Sequence, residues 1–146
     1  MLDQIQSDLK AAMLARDSLR VETLKMLKSA VQNATIAQSG ELDESAVLKL
    51  IQKESQQRAE AATQYSAAGK SDMAEKELAE KSILDEYLPE QLTESELEQI
   101  ITNAITSINA TSLQDMGRVM AIVSSEVAGR ADSSVVATSV KKHLSN

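Results

Sequence analysis

The chain has 146 residues and a formal net charge of −7, with one Pro, two Tyr and no Cys, Trp or Phe. That length suits one domain or two small ones, and 42% hydrophobic against 25% charged residues excludes a disordered chain. The missing cysteine excludes disulfides, thiolate nucleophiles and sulfur-bound metals, and a core limited to Leu, Ile, Val, Met and Ala predicts an all-α fold.

In chain order, Leu2, Ile5, Leu9, Ala12 and Met13 make the first helical stripe. Asp17 is placed to cap a second helix, led in by Leu19 and carried by Leu24, Leu27, Val31 and Ala34, which fades near Ser39–Gly40. From Lys10 to Asn33 five basic residues face two acidic ones, a local net of +3 in an acidic chain, read as a solvated face. Asp43 is the next N-cap, before a long helix through Val47, Leu50 and Ile51. Its Gln56–Thr63 part is polar nearly all round and is expected to be exposed or bridging. Gly69 reads as the glycine after a helix end. Ser71 then caps a helix with Met73, Leu78, Ile83, Leu84 and Leu88.

Pro89 has no amide hydrogen and pushes Leu88 out of the α region, so that helix ends at about Leu88. Thr93 and Glu96 form a capping box that starts another. The proline is therefore a joint, with an N-terminal long-helix domain over 1–88 and a compact C-terminal three-helix domain over 89–146. The three helices carry Leu97, Ile100, Ile101, Ala104, Ile105 and Ile108; then Leu113, Met116, Met120, Val123 and Val127 behind a Ser112–Asp115 box; then Val135, Val136, Val140 and Leu144 behind Asp132. Gly117 inside a helix implies close contact between helices, since a missing side chain lets backbones approach.

Catalytic signatures are sparse. Four glycines include neither GxGxxG nor GxxxxGK[ST]. His143 is the one histidine, a turn from the C-terminus, and reads as surface. Glu75, Glu77, Glu80, Asp85 and Glu86, interleaved with Lys76 and Lys81, read as a solvated charged face. No catalytic residue, metal or cofactor is assigned. Arg118, Arg130, Lys141 and Lys142 are the candidate anion-binding residues. Arg130, beside the Asp132-capped helix start, suggests an anion-binding corner. From Glu90 on, four basic residues stand against seven acidic ones, a net of −3, which opposes binding by bulk charge. The N-terminus MLDQIQSDLK lacks a signal-peptide core and no run approaches the roughly 18 apolar residues of a membrane span, so a soluble cytoplasmic protein is expected.

The segments RDSLRVETLKMLKSAVQNA (16–34), YSAAGKSDMAEKELAEKSILDEYLPEQLTESEL (65–97) and the DMGRVM and VAGRAD pair (115–132) resemble the YqeY-like proteins over essentially the whole chain. That family is similar to the tail domain of the B subunit of aspartyl/glutamyl-tRNA amidotransferase. The resemblance implies a helical tail that contacts tRNA, and it carries a label of carbon–nitrogen ligase activity with glutamine as amido donor. In the amidotransferases, glutamine hydrolysis and ATP-dependent activation belong to parts this chain lacks. What carries over is Gly117, Arg118, Gly129, Arg130, Ala131 and Asp132; Ser133 stands where such proteins usually have a second glycine. The implied function is an accessory module that binds tRNA or a tRNA-amidotransferase-like complex. The alternative is a protein-interaction adaptor without RNA binding, docking partner helices on Gln52–Ala68.

Overall fold

The computed structural model describes residues 1–145. Its order is α1 (Leu2–Ala15), α2 (Ser18–Gln38), α3 (Glu44–Ala67), α4 (Ser71–Asp85), α5 (Glu94–Ser107), a 3₁₀ turn (Leu113–Asp115), α6 (Met116–Val127) and α7 (Ser133–Leu144), with no strand among the described residues. The fold is all-α. The chain divides into two compact units, one over Met1–Leu88 and one from Pro89 on.

The helix starts follow from local chemistry. Asp17 accepts from the Arg20 amide at 3.1 Å and Asp43 from the Ala46 amide at 2.7 Å. At α5 the Thr93 amide donates to Glu96 at 2.8 Å and the Glu96 amide to the Thr93 hydroxyl at 3.2 Å. The Thr93 amide first, then the Thr93 hydroxyl donating at 3.1 Å, hold the Glu96 carboxyl below its ordinary pKa. Asp132 accepts from the Ser134 and Val135 amides and from the Ser134 hydroxyl. Ser71 departs from expectation: it is the first residue inside α4, and Lys70 stands at the cap with no side-chain hydrogen bond. Helix ends use left-handed backbone at Gly69, φ 74°, and Gly129, φ 82°, where glycine avoids a Cβ clash, and also at Arg16, Ser39 and Ala128. α4 stops at Asp85, three residues short of the end expected from Pro89. The amides of Tyr87 and Leu88 continue the turn onto the Leu84 and Asp85 carbonyls.

In the first unit, α1 packs on α2, α2 touches α3 and α4, and α3 pairs with α4 most extensively. Ile5, Leu9, Leu24, Leu27, Val31, Val47, Ile51, Ile83 and Leu84 form its core. The expected stripes are broader than the buried faces: Leu2, Met13, Met73 and Leu78 are exposed. The polar Gln56–Thr63 stretch of α3 is exposed on one side only, at Gln57, Glu60 and Thr63. Its other side buries Arg58 and Ala62, the preceding turns of α3 bury Gln52 and Ser55, and α4 buries Ala74. Small side chains let these two helices approach closely without large apolar residues.

In the second unit α5, α6 and α7 each touch the other two. Leu97, Ile101, Ala104, Val119, Val123, Val127, Val136, Val140 and Leu144 make the core. Leu113 and Val135, expected on stripes, are exposed. Gly117 is exposed, and a Cβ added there would meet nothing within 4 Å. The expected close helix contact at Gly117 is therefore absent. Gly117→Ala should stabilise the protein by about 0.5–1 kcal/mol, because alanine is the better helix former and no neighbour must move. Urea denaturation followed by circular dichroism checks this, and a loss of stability would contradict the open environment.

Candidate nucleic-acid interface

The four candidate cations do not form one cluster. Connection 128–132 is short enough to return α7 antiparallel along α6, and α7 also touches the 3₁₀ turn that opens α6. The buried residues match that register, with Val119, Val123 and Val127 on α6 and Leu144, Val140 and Val136 on α7. Arg118, in the first turn of α6, therefore shares one end of the unit with Lys141 and Lys142, in the last turn of α7. Arg130 stands past the other end of α6, which rises about 14 Å from Arg118 to Val127.

Each cation has a different setting. The Arg118 side chain is 65% exposed and reaches Asp115 at 3.4 Å. Asp115 also accepts from the amides of Thr111 and Ser112, and these bonds, the Thr111 bond first, hold its carboxyl below the ordinary range. Lys141 and Lys142 are exposed and complement the carbonyl end of α7. His143 is half-buried rather than on the open surface, and its Nδ1 donates to the Ser139 carbonyl at 2.8 Å.

Arg130 works as a clasp. Its Nε donates to the Glu90 carbonyl at 3.0 Å, and its own carbonyl accepts from the Leu92 amide at 2.8 Å. Gln91 adds bonds to the Pro89 carbonyl at 2.7 Å and the Gly129 carbonyl at 3.4 Å. The segment after the proline is thus held against the turn between α6 and α7. The amides of Ser134 and Val135, which an anion-binding corner would offer, are occupied by the carboxylate of Asp132.

The acidic face expected on α4 is corrected at Glu80, while Asp85 is half-buried and Glu86 stays exposed. Glu80 is buried, its carboxylate 3.4 Å from Nε of Arg58, while Nη1 of Arg58 donates to Glu54 at 3.1 Å. Burial, reinforced by Glu77, raises the Glu80 pKa; Arg58 opposes the rise without cancelling it. Asp85 accepts from the Ser55 hydroxyl at 2.5 Å and from Lys81 at 2.6 Å. Glu86 takes both ends of the Arg20 guanidinium, at 2.7 and 3.0 Å, and this pairing holds its carboxyl below the ordinary range. Beside it, Tyr87 donates to Asp8 at 2.5 Å. These contacts tie α4 and the turn after it to α1, α2 and α3. Sequence spacing could have revealed Glu54–Arg58 as an i,i+4 pair, but nothing local marks Glu80 as their partner. The face of α3 assigned to a partner helix is in large part already covered by α4.

Among the described residues no group of His, Cys, Asp or Glu could hold a metal ion, and no helix is long and apolar enough to cross a membrane.

A family model described as Yqey-like protein matches residues 2–144. The chain belongs to the YqeY-like family. Relatives of this YqeY-like chain are named "Altered inheritance of mitochondria protein 41, mitochondrial". The one from Pyrenophora tritici-repentis is 28% identical, over 97% of this chain and 79% of that protein. The one from Lachancea thermotolerans is 32% identical, over 74% of this chain and 59% of that protein. The one from Meyerozyma guilliermondii is 33% identical, over 60% of this chain and 46% of that protein. The match thus spans about half the length of the latter two relatives. These names overturn the expected cytoplasmic location and point to mitochondria instead.

Proposed function

We propose that this YqeY-like chain is a helical binding module that recognises tRNA, or a complex that modifies tRNA, and forms no bonds itself. The observation that carries the reading is the gathering of Arg118, Lys141 and Lys142 at one end of the second unit, exposed and on two different helices. Cations so placed can meet neighbouring phosphates. Arg130 acts indirectly, by holding the segment 89–92 in place. The family's likeness to an amidotransferase tail supplies the nucleic acid's class. The unit's net negative charge limits binding to what these local contacts provide, so affinity should fall quickly with salt.

Mobility-shift titration of total tRNA at low salt tests the reading. Wild type should shift the tRNA, and Arg118→Ala/Lys141→Ala/Lys142→Ala should not. Equal behaviour of the two proteins would reject it. Release of ammonia from glutamine by the pure protein, above a buffer blank, would reject the non-catalytic part.

A further inference from the structure

We infer that the trough between α1 and α2 is a docking site for an acidic amphipathic helix of a partner protein. The inference lies in the first unit and does not depend on the RNA reading. The trough holds about 480 Å³, within the size range of binding pockets, roughly 300–1,000 Å³. Its floor is the edge of the core, Ile5 and Val31, and its rims are Leu2, 44% exposed, and Ile36, 75% exposed. A lone exposed aliphatic residue on a helix is ordinary. Two of them lining one trough over an apolar floor make a slot. The α2 wall from Lys28 to Ile36 runs for about 12 Å, which accommodates two turns of a guest helix with apolar residues at i, i+3 or i+4, and i+7.

Charge selects the guest. Lys28 lines the trough. Lys25 lies one turn from it along α2, and Lys10 one turn from the lining residue Gln6 along α1. None of these three lysines forms an ion pair among the described residues. Two acids of the same helices and their link are paired with cations, Asp17 with Arg20 and Glu22 with Lys76, while Asp8 binds the neutral donors Gln4 and Tyr87 and keeps its charge. Asp3 and Asp8 then stand against Lys10, Lys25 and Lys28, two charges against three, so the flank keeps a small positive excess of +1 in a chain of net charge −7. A guest with a leucine-rich face edged by glutamates satisfies both slot and flank. A lipid bilayer would lie flat across a concave slot and leave its floor unfilled. A nucleic acid would find there neither a stacking ring nor a phosphate ligand beyond the lysines.

The test uses the full chain and a fluorescein-labelled helical peptide with leucines at the i, i+3, i+4 and i+7 positions and glutamates beside them, set against the same peptide with lysines for glutamates. Fluorescence anisotropy should show saturable binding of the glutamate peptide alone. Ile36→Glu should weaken it roughly tenfold or more, by removing an apolar rim. Lys25→Glu/Lys28→Glu should reverse the preference toward the lysine peptide. Circular dichroism should show both variants folded, since Lys25 and Ile36 are exposed and Lys28 is half-buried at the rim. Equal binding of both peptides, no saturation, or glutamate-peptide affinity unmoved by Ile36→Glu would overturn the inference. So would capture of anionic phosphatidylglycerol vesicles in place of peptide, or a dimer in sedimentation that excludes the peptide.

Discussion

Ile101→Ala should cost the second unit about 3–5 kcal/mol. Ile101 is fully buried in α5, at the centre of a core otherwise made largely of valines on α6 and α7. Removing three carbons there loses transfer energy and leaves a cavity that rigid, β-branched neighbours fill poorly. A unit of fewer than 60 residues has a small core and little reserve against such a loss. Urea denaturation monitored by circular dichroism should show the second unit losing its helix at much lower denaturant. Leu113→Ala, at a position 46% exposed, should move the transition far less. Similar effects from the two substitutions would contradict the placement of this core.

Arg58→Ala should cost about 3 kcal/mol, while Glu80→Gln at neutral pH should cost little or should stabilise. The two side chains are 9% and 8% exposed and form one pair, yet their settings differ. Arg58 also binds Glu54, so its loss strips a cation from two carboxylates, one of them buried. Its Nε is buried without a hydrogen bond, so its contact with Glu80 is an ion pair of imperfect geometry. Burial and Glu77 raise the Glu80 pKa above its ordinary 4.5. The folded protein therefore holds that proton more tightly than the unfolded chain does. Its contribution to stability is fully present below about pH 4.5 and is lost as pH rises through the folded value. Wild type and Glu80→Gln should thus converge in stability on acidification and separate toward pH 7, with the variant level or ahead. Replacing the pair together, as Arg58→Met/Glu80→Leu, should recover most of the cost of Arg58→Ala. Guanidinium denaturation at a series of pH values measures all four proteins. A large loss from Glu80→Gln at pH 7 would show that the ion pair outweighs burial.

The parts of the fold legible in the sequence are those set by residues within two turns of each other. Ile5 with Leu9, Leu24 with Leu27 and Val31, and Leu97 with Ile101 and Ala104 repeat at the helical period, and each is buried. Asp17, Asp43, Thr93, Ser112 and Asp132 announce helix starts because their oxygens reach amides two or three residues on. The pairing of α3 with α4 is illegible by the same test. It rests on Ser55, Ala62 and Ala74, which carry little hydrophobic signal, and on Arg58 meeting Glu80 from another helix. The candidate cations could be named from the sequence, but their grouping could not. Which end of the unit Arg118 shares depends on how α7 returns along α6, and the reach of Arg130 depends on where the Glu90 carbonyl lies. The trough beside Ile36 was likewise hidden, since an exposed isoleucine acquires meaning only from what stands across from it.

The proposed tRNA binding requires phosphates to meet one cationic end of the second unit, and salt dependence reads such contacts directly. Titrating full-length protein onto tRNA between low and moderate salt should yield a slope of log K against log salt of about −2 to −3, as three phosphate contacts require. In Arg118→Ala/Lys141→Ala/Lys142→Ala the slope should collapse toward zero with the affinity. An unchanged slope in that variant, or wild-type binding indifferent to salt, would contradict the account.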